Sequence, residues 1–213
     1  MVVEVYGNDY QHHNYSLADW TGIQPIDQRG GWVMYFNNTL ESSTHPSYYV
    51  GSMITTYWCN ACQQTGDNYN QKSTNSYYWN NWFTGTDGTH QISTSFSWEY
   101  PGCPYDSVVE NTDFFNYNAS CTSSSCSAGV GCGSATPTGT CTTGGGYWKT
   151  TESCSDMTGM VGANPATPIS GTLYKCTAPN TWTAYYTPYT YPHPLRTGGD
   201  TTPPAAPTGL SVH

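Results

Sequence analysis

Five times the chain runs through a short β-prone segment that ends on asparagine. The segments are Val5-Tyr6-Gly7-Asn8, Tyr35-Phe36-Asn37-Asn38, Tyr57-Trp58-Cys59-Asn60, Tyr78-Trp79-Asn80-Asn81 and Val108-Val109-Glu110-Asn111. Their final asparagines lie 30, 22, 21 and 30 residues apart. A repeat of this size marks units that stack on their neighbours because none can bury its own apolar face. Asparagine suits the corner of each unit, since it tolerates the left-handed conformation that a sharp bend requires. Stacked corners place amide above amide, so the side chains can hydrogen-bond along the stack. The spacing predicts a parallel β-helix with a coil of roughly 22 residues and longer loops in some turns.

Composition agrees with an all-β fold. Charged residues make up only 9 % of the chain, whereas tyrosine, tryptophan and glycine are abundant, at 19, 8 and 22 residues. Such a chain is too aromatic to be disordered. Aromatics and threonine favour strands, glycine and asparagine favour turns, and no segment sustains a helical apolar period. The formal net charge of −9, with five lysines and arginines in all, excludes nucleic acid as a partner, because little is present to neutralise phosphate. No apolar run is long enough for a helical membrane span.

Nine cysteines point to an oxidising, extracellular or cell-surface location. Three sequons, at Asn14, Asn37 and Asn118, are glycosylation candidates consistent with it. Met1 leads directly into Val2-Val3-Glu4-Val5-Tyr6, which reads as a strand, not a leader; the expectation is a mature or truncated chain. That first strand would present an open edge, to be covered by upstream coils or by another subunit.

Beyond Asn118 the character changes to Ser, Gly, Thr and Cys, which reads as a stapled loop. Gly146–Thr150, Gly171–Cys176 and Thr181–Tyr186 then read as short strands. Cys141 and Cys176 each adjoin one of these strands, and a disulfide is expected between them. Cys59-Asn60-Ala61-Cys62 has no second Cys pair and no histidine at Gln63, so a loop-closing disulfide, or two separate bridges, is expected there, not zinc or haem. The odd cysteine count leaves at least one thiol free or paired between chains. The segment Tyr185-Tyr186-Thr187-Pro188-Tyr189-Thr190-Tyr191-Pro192-His193-Pro194-Leu195 must be extended, because proline fixes φ and constrains its predecessor. The chain divides into coils over 1–118, a Cys/Gly-rich loop and cap over 119–195, and a Pro-rich linker or tail over 196–213.

The run "GGGYWKT…GTLYKCTAPNTWTAYYTPYTYPHPL" resembles the C-terminal end of uncharacterised bacterial right-handed parallel β-helix proteins of the pectate-lyase-like superfamily. "RGGWVMYFNNTL" and "VVENTDFFNYNAS" resemble coil motifs of that family. "DTTPPAAPTGLSV" resembles the opening of a fibronectin-type module. The resemblance implies the C-terminal part of a solenoid, or a short relative of one. It also implies that the tyrosine–proline strap belongs to a cap closing the solenoid's end. A Pro-rich ligand for a partner is the rival reading of that strap.

Lyases of the superfamily use acids to hold Ca²⁺ and a basic residue to take a proton. Asp27-Gln28-Arg29, with Asp9 and Asp19 upstream, is the nearest approach to such a set. Arg29 before two glycines reads better as a turn residue, and His12-His13 as a polar loop. No catalytic or metal-ligating residue is therefore assigned, and Ca²⁺ is the single cofactor the resemblance admits. The aromatics exceed what a narrow coil can hold, and alternation sends some outward. Tyr57, Trp58, Trp79, Trp82 and Trp98 are the candidate binding residues, suited to the apolar faces of sugar rings. The expected function is an extracellular structural and recognition module for carbohydrate. A C-terminal fragment of a polysaccharide lyase or glycosidase, and a subunit of an extracellular filament, are the alternatives.

Overall fold

The structure, a computed structural model, describes residues 2–12, 23–28, 31–42, 50–56, 73–85, 88–98, 108–162 and 169–188. Every regular element among them is a strand. The strands β1 (Val2–Tyr6), β4 (Trp32–Ser42), β6 (Ser76–Gly85) and β9 (Phe114–Asn116) pair in parallel in that order, with β2 (Asp9–His12) beside the second half of β4. A second parallel sheet holds β3 (Ile23–Gln28), β5 (Val50–Thr56) and β8 (Thr94–Trp98). The chain visits the two sheets alternately, and each visit lies beside the one before. β7 (Gly88–Gln91) departs from this pattern and pairs antiparallel with β6.

The asparagines stand where the strands bend. Gly7, Asn37 and Asn80 fall at equivalent positions in successive strands, with positive φ of 69°, 49° and 51°. The next residues form the amide ladder. Asn8 Nδ2 donates to Asn38 Oδ1 at 2.9 Å, Asn38 Nδ2 donates to Asn81 Oδ1 at 2.9 Å, and Asn81 Nδ2 donates to the Tyr35 carbonyl at 2.9 Å. The rungs are separated by 30 and 43 residues, so the expected repeat of about 22 residues is corrected to a longer and unequal one. Between successive rungs the chain passes through one strand of the second sheet, β3 and then β5. Asn60 lies outside the described residues. Asn111 has a different role: it is exposed, has a φ of 64°, and its Oδ1 accepts from the Gly129 N–H at 2.7 Å.

Both faces of the β1–β4–β6–β9 sheet are covered. Met34, Phe36, Tyr77, Trp79 and Phe115 fill one face, and Val33, Tyr35, Tyr78 and Phe114 the other. This is why "VMYF" and "YYW" are continuous apolar runs without polar alternation. Parallel register also stacks like on like: Tyr6 on Phe36 at 4.9 Å, Phe36 on Trp79 at 4.4 Å, and Tyr77 on Phe115 at 5.0 Å between ring centroids. Gln28, from the second sheet, is buried behind Tyr78; its Nε2 donates to Ser76 Oγ and to the Gly31 carbonyl, and its Oε1 accepts from the Tyr78 hydroxyl.

The C-terminal part is built from β10 (Ser125–Cys126), β11 (Val130–Gly133), β12 (Thr140–Cys141), β13 (Gly146–Lys149), β14 (Thr172–Ala178) and β15 (Thr181–Tyr186). Parallel pairs β10·β12 and β11·β13 are followed by antiparallel β13·β14 and β14·β15. Three disulfides staple it: Cys121–Cys126, Cys132–Cys154 and Cys141–Cys176. Glycine is required where backbones approach this closely; a Cβ on Gly131 would stand 2.2 Å from the Cys121 carbonyl oxygen. The sheets are therefore mixed, all-β as expected but not purely parallel.

The C-terminal sheet lies along one face of the β1–β4–β6–β9 sheet. Trp148 sits 5.1 Å from Trp79 and 5.3 Å from Phe36, and Leu173 and Ile169 join the same core. Tyr185 and Tyr186, the first two residues of the tyrosine–proline segment, pack against this core, Tyr186 at 6.0 Å from Phe36. Residues 189–195 lie outside the described residues. The Gly162 N–H donates to the Gly7 carbonyl at 2.8 Å, so contact with this region extends to the first coil.

Candidate functional site

The candidates named from sequence are dispersed. Trp79 is fully buried, its ring stacked on Phe36 and tilted against Trp148, and it offers no face to a ligand. The expectation that it points outward is corrected for a physical reason: both faces of β6 are covered, so alternation exposes neither set. Trp82 is half-buried on the same strand. Trp98 ends β8, with its side chain outside the described residues, as are Tyr57, Trp58, Cys59, Cys62 and Asn14 entirely. Cys141 is joined to Cys176.

Asn37 is 1 % exposed at the bend, in the left-handed conformation, and has no room for a glycan there. Asn118 is half-buried and organises a turn, its Nδ2 donating to the Ala128 carbonyl and its Oδ1 accepting from the Ser120 N–H. The carboxylates serve as local acceptors. Asp9 accepts from Thr39 Oγ1 at 2.8 Å, Asp113 from the Val109 N–H at 2.9 Å, and Glu110 from Asn116 Nδ2 at 3.0 Å. Glu152 accepts from the Ser170 N–H, and burial holds its carboxyl above the usual range. Among the described residues no three of His, Cys, Asp and Glu are grouped to hold a metal. The side chains of Asp27 and Arg29 lie outside the described residues.

A different set of polar and aromatic groups converges where the coil stack meets the C-terminal sheet. Trp32 opens β4 immediately after Gly31, beside Thr74 and Asn75. The Thr74 N–H donates to the Gly31 carbonyl on one side, and Met34 pairs with Tyr77 on the other. Strand alternation gives Trp32 the same face as Met34 and Phe36, the face that the C-terminal sheet covers. Trp32 remains 43 % exposed. Asn75 turns the chain into β6 with a φ of 52°. Its Oδ1 accepts from Lys175 Nζ at 2.5 Å, a contact that ties β14 to the coil stack.

Lys175 also lies over the ring of Tyr185, with Nζ 4.8 Å from its centroid. Tyr185 in turn packs 5.9 Å from Tyr77, whose hydroxyl donates to the Gly144 carbonyl at 2.8 Å. Burial lowers the Lys175 ammonium from the ordinary lysine value, and no neighbouring charge contributes to the shift. Burial raises the phenols of Tyr77 and Tyr185, so both are neutral donors at physiological pH. The seam thus presents an indole face, an amide and an ammonium. Groups of this kind can bind and orient a ligand; they include no nucleophile with a base beside it. The sequence signal for Trp32 was its place after Gly30-Gly31 at the mouth of a strand. Lys175 had none, since its partner is 100 residues away.

No protein-family model, curated protein or solved structure matches the chain.

Proposed function

We propose that the chain is an extracellular or cell-surface structural and recognition module that binds carbohydrate. On this reading its two parallel sheets are coils of a right-handed parallel β-helix. The observation that carries it is Trp32: a large indole left 43 % exposed on the strand beside the one that Asn75 leads into, in a chain with only 9 % charged residues. Sugar rings offer C–H faces to such an indole and hydroxyls to such an amide, and aromatic contact of this kind supplies much of the binding energy at small recognition sites. Three disulfides support an oxidising location. The test is binding of the oxidised chain to a panel of polysaccharides. Retention on at least one glycan, with Trp32→Ala weakening it about tenfold or more, supports the proposal. Retention on none, or an unaffected variant, overturns it.

A second reading, assembly through the first strand, also has an observation in its favour. Among the described residues β1 pairs with β4 alone, and Val3 is 48 % exposed. An open edge of this kind is a template for another strand. Sedimentation of the wild-type chain against Val3→Lys tests it: self-association abolished by the charge supports it, and a monomer in both cases removes it.

A further inference from the structure

We infer that the open edge of β1 is a docking site for a parallel β-strand of another polypeptide, one that reads basic–x–aromatic–x–Asn. This goes beyond the assembly reading, because it names the chemistry that the edge takes and the occupant is not a second copy of the chain. Among the described residues β1 pairs with β4 alone, and Val3 is 48 % exposed. The backbone groups of β1 that point away from β4 are therefore open to a further strand.

The amide ladder says what that strand carries. Its polarity is fixed, because Asn38 Oδ1 accepts both the Asn8 backbone N–H at 3.1 Å and Asn8 Nδ2 at 2.9 Å, while Asn38 Nδ2 donates to the Phe36 carbonyl at 2.9 Å. Asn8 repeats the donor half of this pattern, its Nδ2 reaching the Tyr6 carbonyl at 3.2 Å. Its Oδ1 accepts from no residue, whereas the same atom of Asn38 takes two donors. An asparagine on a strand beside β1 supplies both, from its backbone N–H and its Nδ2. Register gives the other two positions. Tyr6 pairs with Phe36, and their rings continue onto Trp79, so an aromatic two residues before the asparagine extends the stack over Tyr6. Glu4 pairs with Met34, and no lysine or arginine forms an ion pair with it. Opposite charges on facing strand positions are favourable and like charges unfavourable, so a basic residue two places before the aromatic suits Glu4.

A second copy does not offer such a strand at the far side of the stack. There β9 pairs with Ser76–Tyr78 of β6, β7 pairs with Trp82–Gly85, and the Asn81 carbonyl accepts from the Ile92 N–H at 2.7 Å.

The probe is a synthetic peptide with the sequence of Trp32–Leu40 and lysine in place of Met34. One analogue has alanine in place of Asn38, and another has glutamate in place of that lysine. Each is titrated into the folded, oxidised chain while the β1 amides are followed by nuclear magnetic resonance. The inference predicts saturable shifts along β1, with the alanine peptide at least about fivefold weaker and the glutamate peptide about threefold weaker. Glu4→Lys should reverse the order of the lysine and glutamate peptides. A nitroxide on the peptide's N-terminus should broaden the Val2 and Val3 amides and spare Asn8, as a parallel strand requires. Broadening at Asn8, equal binding of the asparagine and alanine peptides, or binding of no peptide overturns the inference. Sedimentation separates it from the assembly reading. A wild type that self-associates through β1 makes a second copy the occupant, which overturns the inference and leaves that reading standing. A monomer that binds the peptide supports the inference and removes that reading. If melts show that Glu4→Lys fails to fold, the peptide series on the wild type carries the test.

Discussion

Residues 2–116 and residues 121–176 contribute to one core but are ordered by different chemistry. In the coil stack, successive strands repeat the same bend, so amide meets amide and ring meets ring: Asn8 to Asn38 to Asn81, and Tyr6 to Phe36 to Trp79. In the C-terminal region the loops carry few apolar residues to bury, and three covalent bonds and close glycine packing replace the ladders. Hydrogen-bond ladders hold only while the register is shared by neighbouring strands. Disulfides hold irregular backbone, because they limit the unfolded chain whatever the folded path. The candidate ligand groups stand on the boundary: Trp32 and Asn75 belong to the stack, Lys175 to the stapled sheet.

Removing Cys141–Cys176 tests the stapled side and should have the largest effect. Its sequence separation is 35 residues, against 5 for Cys121–Cys126. Chain entropy assigns about 4 kcal/mol to the first and about 2 kcal/mol to the second. Denaturant melts of the paired Cys→Ala variants should show that order; the reverse order would mean that native contacts, not loop closure, set the contribution.

Asn38→Ala is the corresponding break on the ladder side. It removes the acceptor of Asn8 Nδ2 and the donor to Asn81 Oδ1 and leaves buried polar atoms unpaired. About 2–3 kcal/mol of destabilisation is expected. A melt unchanged from the wild type would remove the ladder from the account.

Alkaline pH acts on the shared core. Burial raises the phenols of Tyr77 and Tyr78 above the ordinary tyrosine value of 10.0. With the folded value raised, their contribution is intact below about pH 10 and is lost as pH rises beyond it, because only the unfolded chain releases those protons. The slope is about 1.4 kcal/mol per pH unit for each such tyrosine. Lys175, with its folded value lowered, has the opposite sign: its burial cost is relieved as pH rises toward the ordinary lysine value. Two deeply buried phenols outweigh one half-buried amine, so melts above pH 10 should fall in temperature while tyrosinate absorbance appears together with unfolding. Tyrosinate formation in the native chain, before unfolding, would contradict this.

The legible parts of the fold were those that repeat. Asn8, Asn38 and Asn81 were identifiable because a bend recurs with the same residue, and the strands around Tyr147, Leu173 and Trp182 because turns flank them. The spacing was not legible: a stretch that holds a strand of each sheet carries two β-prone runs, and the asparagines alone do not say which runs share a sheet. Trp79 was misread because alternation was assumed across "YYW", whereas a continuous apolar run marks a strand covered on both faces. At the candidate site, Trp32 had a local signal, but the Lys175–Asn75 contact is made by tertiary packing and leaves no pattern in the sequence.

The claim that the boundary between the two regions is the recognition surface is tested most directly by mapping ligand contact on the wild-type chain. Nuclear magnetic resonance spectra with and without a saturating amount of a glycan that the chain retains should shift the Trp32 indole N–H, the Asn75 side-chain amide and the β14 amides around Lys175 together, with the Asn8–Asn38–Asn81 amides unmoved. Shifts confined to one region, or clustered away from all three residues, would contradict the account.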